Sequence, residues 1–230
     1  MKNGLDPVAC LDRYPLENEQ FQSDCCLSLD NEGVLVLPDF LTATALESIC
    51  TEAEEKRHLA YFCAQQHNVY LTPPDPEFPA EHARNREVVS TKGCITDDQV
   101  AADSALRTLY DAPQFRDFLC AVLGEDALFD YADPLSSINV HYASDGQELG
   151  WHFDNSSFAI TLMIQEPERG GRFDFVRSVR NADRGEMNFS AVDEVLNGHR
   201  TPDSLAMQAG TLVLFRGRDA MHRVTPVQGD

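Results

Sequence analysis

Apolar and polar positions follow different periods in the two halves of the chain. In three stretches of the first half, apolar residues recur at intervals of three and four, the period of an amphipathic helix. Helices are predicted to begin at Thr44, at Thr96 and near Pro113, the first two with a Thr-x-x-Glu/Gln capping pair. The third is predicted to end at Gly124, because glycine readily adopts the left-handed conformation that closes a helix. This half is therefore expected to be largely helical, with the first helix carrying its apolar stripe as far as Phe62.

Other segments of the first half lack a helical period. Residues 33–37 (GVLVL) form a short apolar run that predicts a buried strand, and residues 68–71 are expected to be extended. The proline-rich residues 72–79 (TPPDPEFP) predict a loop, which is either a lid over a site or a simple surface crossing. The first thirty residues are polar and weakly periodic, so they predict a loosely held leader that packs on the main body.

Short apolar runs separated by Gly and Pro turns dominate the chain from residue 128 onward. The predicted strands are residues 128–131, 137–142, 149–153, 158–164, 172–176, 205–207, 211–215 and 222–225. Eight short strands after a helical block favour an α+β fold, with a jelly roll (double-stranded β-helix) buttressed by the N-terminal helices. We expect one domain over residues 1–230, with helical support and a lid region in 1–127 and the jelly roll in 128–230.

Composition narrows the class of protein. The 38 acidic and 18 basic residues give a formal charge of −20, which excludes a nucleic-acid binder because an anionic surface repels phosphate. No apolar run approaches the roughly 18 residues that span a bilayer, and the segment MKNGLDPVACLDRYPLE lacks the apolar core of a signal peptide, so a cytoplasmic protein is predicted. The seven cysteines form no C-x-x-C pair and are odd in number, which favours reduced thiols over disulfides or a zinc ribbon.

The residues most suited to chemistry are two histidines and one aspartate. In an extended segment, His152 and Asp154 project to the same side, and His222 follows the last long apolar run. Two imidazoles and one carboxylate on one side of an ion leave the opposite side open, as in non-heme Fe(II) oxygenases. The same three ligands could instead hold zinc in a hydrolytic site, or the jelly roll could be a binding module without turnover.

The segments NVHYASDGQELGWHFDN and GTLVLFRGRDAMHRVTPV together resemble the Fe(II)/2-oxoglutarate-dependent oxygenases of the prolyl-hydroxylase-like type. The resemblance covers residues 128–230 and implies that His152, Asp154 and His222 bind Fe(II) inside a double-stranded β-helix. It also implies 2-oxoglutarate and O2 as cosubstrates, with hydroxylation of an unactivated C–H bond and release of succinate and CO2.

The resemblance extends to the 2-oxoglutarate contacts. Tyr142, ten residues before His152, matches a tyrosine that contacts 2-oxoglutarate in many relatives. A cation that grips the distal carboxylate is expected about nine residues after the distal histidine, at about residue 231, just past Asp230. Arg216 and Arg218 are the nearest alternatives within the chain.

The same segments are similar to small bacterial enzymes that hydroxylate or halogenate free amino acids, lysine among them. A cationic amino acid as substrate suits an acidic protein. A peptidyl hydroxylase that acts on a protein side chain is the close alternative. For the assembly, a homodimer is one option. Because the halogenating relatives carry a small residue at the position of Asp154, the carboxylate implies hydroxylation. Candidate substrate contacts, each with a core or solvated alternative, are Trp151, Asn155, Arg84 and Arg86.

Overall fold

The computed structural model describes residues 4–229. This part of the chain contains five α-helices and twelve β-strands. The helices are α1 (Glu19–Glu32), α2 (Ala43–Lys56), α3 (Ala105–Asp111), α4 (Pro113–Leu123) and α5 (Phe189–Leu196). The strands are β1 (Val34–Leu37), β2 (Tyr61–Asn68), β3 (Glu87–Ile95), β4 (Val140–Tyr142), β5 (Leu149–His152), β6 (Ala159–Leu162), β7 (Arg169–Gly170), β8 (Phe173–Val176), β9 (Asp203–Leu205), β10 (Leu212–Phe215), β11 (Met221–Val224) and β12 (Val227–Gln228).

Two antiparallel sheets face each other across an apolar core. The small sheet has the order β1-β10-β6, and the large sheet has the order β2-β3-β5-β11-β8-β9 with β4 beside β3. Val213 and Phe215 of the small sheet pack with Phe175 of the large sheet, in a cluster that also contains Val34 and Ala220. The predicted jelly roll is therefore confirmed as an architecture, but its sheets also contain β1, β2 and β3, so it is not confined to residues 128–230. We call the side of the large sheet that meets this core its inner face.

The two outer faces are covered by different parts of the chain. Helices α1, α2, α3 and α4 pack on the small sheet through a cluster that includes Phe40, Phe118 and Leu214. The large sheet is covered by α5 and by the segment around Val69 and Tyr70, which pack against side chains of β5, β8 and β11. In the described residues no helix is long and apolar enough to cross a membrane.

The N-terminal segment is more ordered than its composition predicts. Leu5 is 1% exposed and Leu29 is fully buried, so the predicted loose leader is wrong. A cap at each end supports α1: Asn18 Oδ1 accepts a hydrogen bond from the Phe21 N–H, and Gly33 closes the helix at φ +71°.

Some predicted boundaries are also wrong. Thr42, and not Thr44, caps α2, because its hydroxyl accepts a hydrogen bond from the Ala45 N–H. After Thr96 only a 3₁₀ turn forms, and the next helix, α3, begins after its N-cap residue Ser104. Residues 128–131 form no strand, and Phe129 there is 88% exposed.

Three elements escape the sequence pattern. Strands β2 and β3 carry mixed polar residues with no clear alternation of burial, so neither shows the period of a half-buried strand. Phe62 lies in β2 rather than on the predicted helix. Helix α5 has only eight residues, too few to display a helical period.

Candidate metal centre

Two of the proposed ligands come from the end of β5. His152 is the last residue of that strand, and Asp154 follows after one residue, so both side chains project toward the inner face. The backbone holds this segment from two sides: the Phe153 N–H donates to Val69 O at 2.8 Å, and the Asp154 N–H donates to Gly217 O at 3.0 Å. These two hydrogen bonds therefore fix the direction of residues 153 and 154 after the end of β5.

The third ligand lies on the adjacent strand. In β11, His222 is paired directly with His152, and residues opposite each other in an antiparallel pair share a face. The two imidazole centroids are 4.2 Å apart, and His222 Nε2 is 3.5 Å from Asp154 Oδ1. One ligand atom from each residue lies within 4.8 Å of the others. The structure thus brings His222 to the pair formed by His152 and Asp154, 70 residues earlier in the sequence.

Backbone carbonyls set the orientation of both imidazoles. His152 Nδ1 is 2.8 Å from Gly150 O, and His222 Nδ1 is 3.1 Å from Ala220 O. Because a carbonyl can only accept, each Nδ1 carries the proton and each Nε2 presents a lone pair toward the shared centre. Burial and then the neighbouring His222 lower the pKa of His152 to about 4, so the ring is neutral and ready to bind a metal near pH 7.

The carboxylate is arranged as a ligand rather than as a structural group. Burial would raise the pKa of Asp154, but the proton that His222 shares with it in acid, and the positive charges that the two histidines carry there, outweigh burial and lower that pKa. Asp154 Oδ2 is buried and has no hydrogen-bond partner among the described residues. A buried ionised oxygen without a partner is costly, and a bound cation would remove that cost.

Gly217 leaves the space that this carboxylate occupies. A Cβ at residue 217 would overlap with Asp154 Oδ2 and would lie 2.6 Å from Asp154 Cγ and 3.0 Å from His222 Cε1. Glycine is therefore required here by close approach and not by backbone conformation, and the sequence alone gives no sign of it.

The surroundings of the triad differ from side to side. Phe215 and Phe173 pack on the His222 ring, with centroids 4.9 Å and 5.6 Å away, and shield one side from water. On the other side, His67 lies with its ring centroid 6.3 Å from that of His152. Ser90 of β3 connects β2 with β5, because its hydroxyl is 2.7 Å from His67 Nε2 and accepts a hydrogen bond from the Gly150 N–H at 2.9 Å.

An open cavity of about 560 Å³ lies along the segment between β8 and α5. We call it the rim cavity, and it is lined by Ser178, Val179, Arg180, Asn181, Glu186, Asn188 and Asp219. Arg180 lies between this cavity and the ligand segment, since its guanidinium lies 4.1 Å from the centre of the Phe153 ring and donates to the backbone Asp154 O at 3.4 Å. Arg180 also donates to Arg218 O at 2.8 Å. Sequence reasoning misses Arg180 because it lies in a loop without periodicity.

The side chains that were predicted to contact 2-oxoglutarate have other partners in the structure. The Tyr142 hydroxyl donates to Ala53 O of α2 at 2.7 Å. Arg216 forms an ion pair with Asp30 at 2.7 Å, and Arg218 forms one with Asp183 at 3.0 Å. These contacts give no support to the three assignments. The position at about residue 231 lies outside the described residues.

The proposed substrate contacts are dispersed. Trp151 is 8% exposed on the outer face, where Arg223 lies 4.8 Å from its ring centre, and Asn155 is exposed beyond the ligand segment. Arg84 lies 5.7 Å from the Tyr70 ring centre. Arg86 donates to Asn197 Oδ1 at 2.7 Å, just after α5. The structure therefore does not gather these four side chains around the triad.

Comparison with known proteins places the chain in a family. A family model described as HalD, Halogenase D, matches residues 18–230. The chain belongs to the Halogenase D family. No curated protein matches the sequence.

Solved structures share the fold of this Halogenase D family member at low identity. The epimerase SnoN from nogalamycin biosynthesis, described as non-heme and α-ketoglutarate-dependent, is 13% identical with a TM-score of 0.59, covering 93% of this chain and 79% of that one. A prolyl hydroxylase from Trichoplax adhaerens is 12% identical with a TM-score of 0.54, covering 93% and 86%. A 2OG-Fe(II) oxygenase family protein from Burkholderia pseudomallei is 14% identical with a TM-score of 0.52, covering 91% and 85%.

Family, fold and ligand set agree on the type of enzyme. The protein is a 2-oxoglutarate- and Fe(II)-dependent oxygenase-type enzyme, and its cofactors are Fe(II), 2-oxoglutarate and O2. The residues fit the metal: two imidazoles and one carboxylate converge, and a cation would satisfy the buried Asp154 Oδ2, which has no hydrogen-bond partner among the described residues.

Proposed function

We propose that this enzyme hydroxylates an unactivated C–H bond of a free cationic amino acid such as lysine. The observation that carries the substrate class is the charge of the rim cavity: Arg180 and Asp219 form an ion pair at 4.0 Å, and Glu186 adds one net negative charge. Free lysine has the complementary pattern of one carboxylate and two ammonium groups. Opposite charges placed across a binding site favour the matching ligand and disfavour others.

Each part of the site has a separate task in this proposal. When bound, Fe(II) and 2-oxoglutarate supply the oxidising chemistry, while the protein supplies position and environment. Gly150 O and Ala220 O hold the two imidazoles in the ligating tautomer, and Phe173 and Phe215 exclude water from one side. Arg180 holds Asp154 O and reaches the rim cavity, so it connects the bound substrate to the ligand segment.

Asp154 supports hydroxylation as the outcome, although the family is described by a halogenase name. The carboxylate occupies one metal position, and Gly217 leaves the room for it, so chloride has no vacancy there. Product formed in high chloride is expected to gain one oxygen by mass analysis, with Asp154→Gly run beside it. A chlorinated product from the unmutated enzyme would contradict the proposal.

The substrate class can be tested in two steps. Anaerobic Fe(II) and 2-oxoglutarate are expected to give a visible charge-transfer absorption, and free amino acids are then screened for succinate release. We expect lysine to exceed the neutral isostere norleucine by at least about 10-fold, since one charge-assisted hydrogen bond contributes about 1.5–3 kcal/mol.

A matched pair of variants locates the effect. Glu186→Gln is expected to reduce the preference for lysine, whereas Glu168→Gln, an exposed carboxylate outside the rim cavity, is expected to leave it unchanged. Turnover of peptidyl lysine or proline in preference to every free amino acid would overturn the free amino acid proposal and support a peptidyl hydroxylase.

A further inference from the structure

Gly150 is the residue through which β3 contacts the strand that carries the metal ligand His152. A Cβ at residue 150 would lie 2.5 Å from Val89 O of β3, so glycine is what allows the two strands to approach this closely. The Gly150 carbonyl accepts the hydrogen bond from His152 Nδ1 at 2.8 Å, so its position decides where the imidazole points. Because glycine has more conformational freedom than any other residue, this carbonyl needs contacts from outside to hold its direction.

A serine hydroxyl supplies this outside contact. Ser90 Oγ accepts a hydrogen bond from the Gly150 N–H at 2.9 Å. In the described part of the chain, the ladder between β3 and β5 has a single pair of backbone partners, Ser90 with Leu149, so the hydroxyl replaces a regular backbone partner at Gly150. Both polar backbone groups of Gly150 are then satisfied, the N–H by Ser90 and the carbonyl by His152. Ser90 therefore contacts the metal ligand through one intervening residue.

His67 fixes the orientation of this hydroxyl. Asn68 O lies 3.0 Å from His67 Nδ1 and can only accept, so Nδ1 carries the proton. In the neutral ring Nε2 is then an acceptor, and the Ser90 hydroxyl, 2.7 Å away, donates its one proton to it. A lone pair of Ser90 Oγ is left for the Gly150 N–H. The contacts form one chain from His67 through Ser90 and Gly150 to His152, whose ring centroid is 6.3 Å from that of His67.

We propose that His67 and Ser90 are positioning residues for the metal ligand His152. They hold Gly150 so that its carbonyl keeps the proton of His152 on Nδ1 and leaves Nε2 for the metal. Neither residue belongs to the three ligands that the described residues bring together, so both act through His152. The inference goes beyond the proposed function, because it concerns the metal centre whatever the substrate is.

Thr91 provides a matched control, because it makes the same kind of contact one residue further along β3. Thr91 Oγ1 accepts a hydrogen bond from the Glu148 N–H at 3.0 Å, while the Glu148 carbonyl accepts from the Thr91 N–H at 2.7 Å and not from a metal ligand. Ser90→Ala and Thr91→Val each remove one hydroxyl that joins β3 to β5 or the residue before it. A loss of strand pairing alone would affect both variants alike, whereas a loss of positioning is expected only in Ser90→Ala.

Two measurements on the full chain test the proposal. Isothermal titration with Co(II) is expected to show about 10-fold weaker binding in Ser90→Ala, within the range for a group that orients a ligand, and a change of less than about 2-fold in Thr91→Val. In the metal-free chain, the nitrogen chemical shifts of the His152 ring report its tautomer. The fraction with the proton on Nδ1 is expected to fall in Ser90→Ala and to stay unchanged in Thr91→Val.

His67→Phe tests the first contact of the chain, and it decides the matter by itself if Ser90→Ala does not fold. The variant keeps a ring but offers no acceptor to the Ser90 hydroxyl, so both measurements are expected to change in the same direction as in Ser90→Ala. Adding it to Ser90→Ala should weaken Co(II) binding by less than about 2-fold more, because His67 acts through Ser90.

Three outcomes contradict the proposal. Unchanged Co(II) affinity and an unchanged His152 tautomer in the variants that fold would show that neither residue positions the ligand. Equal losses in Ser90→Ala and Thr91→Val would assign the effect to strand pairing. A full additional loss in the double variant would show that His67 does not act through Ser90.

Discussion

Replacing Gly217 by Ala tests the metal centre without touching any ligand. The new Cβ would lie 2.6 Å from Asp154 Cγ, whereas ordinary contact begins at 3.4 Å, so the carboxylate must move by at least about 0.8 Å. Metal–ligand distances vary by only about 0.2 Å in good sites. The carboxylate therefore cannot keep its bond unless the turn before β11 moves, and that turn carries His222 toward the same centre.

We expect Gly217→Ala to weaken Fe(II) or Co(II) binding about 10- to 100-fold, roughly 1.4–2.8 kcal/mol, comparable with the loss of a group that orients a ligand. Isothermal titration or Co(II) absorption measures this change. The fold should survive, since φ at residue 217 does not lie in the left-handed region. Gly4→Ala is the matched control, because a Cβ there meets nothing within 4 Å.

A double-mutant cycle decides whether the clash is the cause. Asp154→Gly removes the carboxylate that the new methyl group would meet, so adding Gly217→Ala to it should cost little further affinity. Equal costs of Gly217→Ala in the presence and absence of the Asp154 side chain would refute the reasoning. Unchanged metal affinity in the single variant would refute it as well.

Three further variants test the fold and its electrostatics. Asp174→Asn should lower the free energy of unfolding by about 1–3 kcal/mol in urea titrations, because this 5% exposed carboxylate accepts from Arg223 and Ser204; an unchanged midpoint would contradict this. Phe118→Ala in the helical core should lower the free energy of unfolding by about 3–5 kcal/mol and leave the metal affinity of the folded protein unchanged. A fall in that affinity would show that the helical core and the metal centre are not independent. His141 has its pKa lowered to about 4, so it contributes stability above pH 6.5 that is lost as the pH falls toward 4; His141→Gln should flatten this part of the unfolding profile, and an equally steep profile would count against it.

The metal triad is the part of the site that sequence reasoning predicts best. His152 and Asp154 depend only on the alternation of side chains over three residues, which is local. His222 follows β10 after a short turn, and its setting before Val224 and Pro226 resembles that of the distal histidine in the family, although β11 and β10 lie in different sheets. Nothing in this inference requires the course of the chain between residues 155 and 210.

The surroundings of the triad depend on strand register, which sequence reasoning does not determine. Tyr142 and His141 are adjacent in β4, so a shift of one residue would exchange the faces of the sheet on which they lie. The pairing of β5 with β11 contains such an irregularity between His222 and Val224. His67 and Ser90, which lie beside His152, belong to strands whose polar sequences do not reveal them as strands. The residues near the metal that sequence misses are thus the ones fixed by long-range pairing.

The metal ligands are held rigidly by the backbone, whereas the residues that line the rim cavity can vary. The ligand rings are fixed by the direct pairing of His152 with His222 and by backbone carbonyls, which no side-chain substitution removes. The rim cavity, in contrast, is built mainly from the segment between β8 and α5, outside the regular sheet. Substitutions in that segment can change the charge offered to a substrate without altering the triad. Arg180 is the exception, because it lines the cavity and also holds Asp154 O, so its replacement should change substrate preference and metal affinity together.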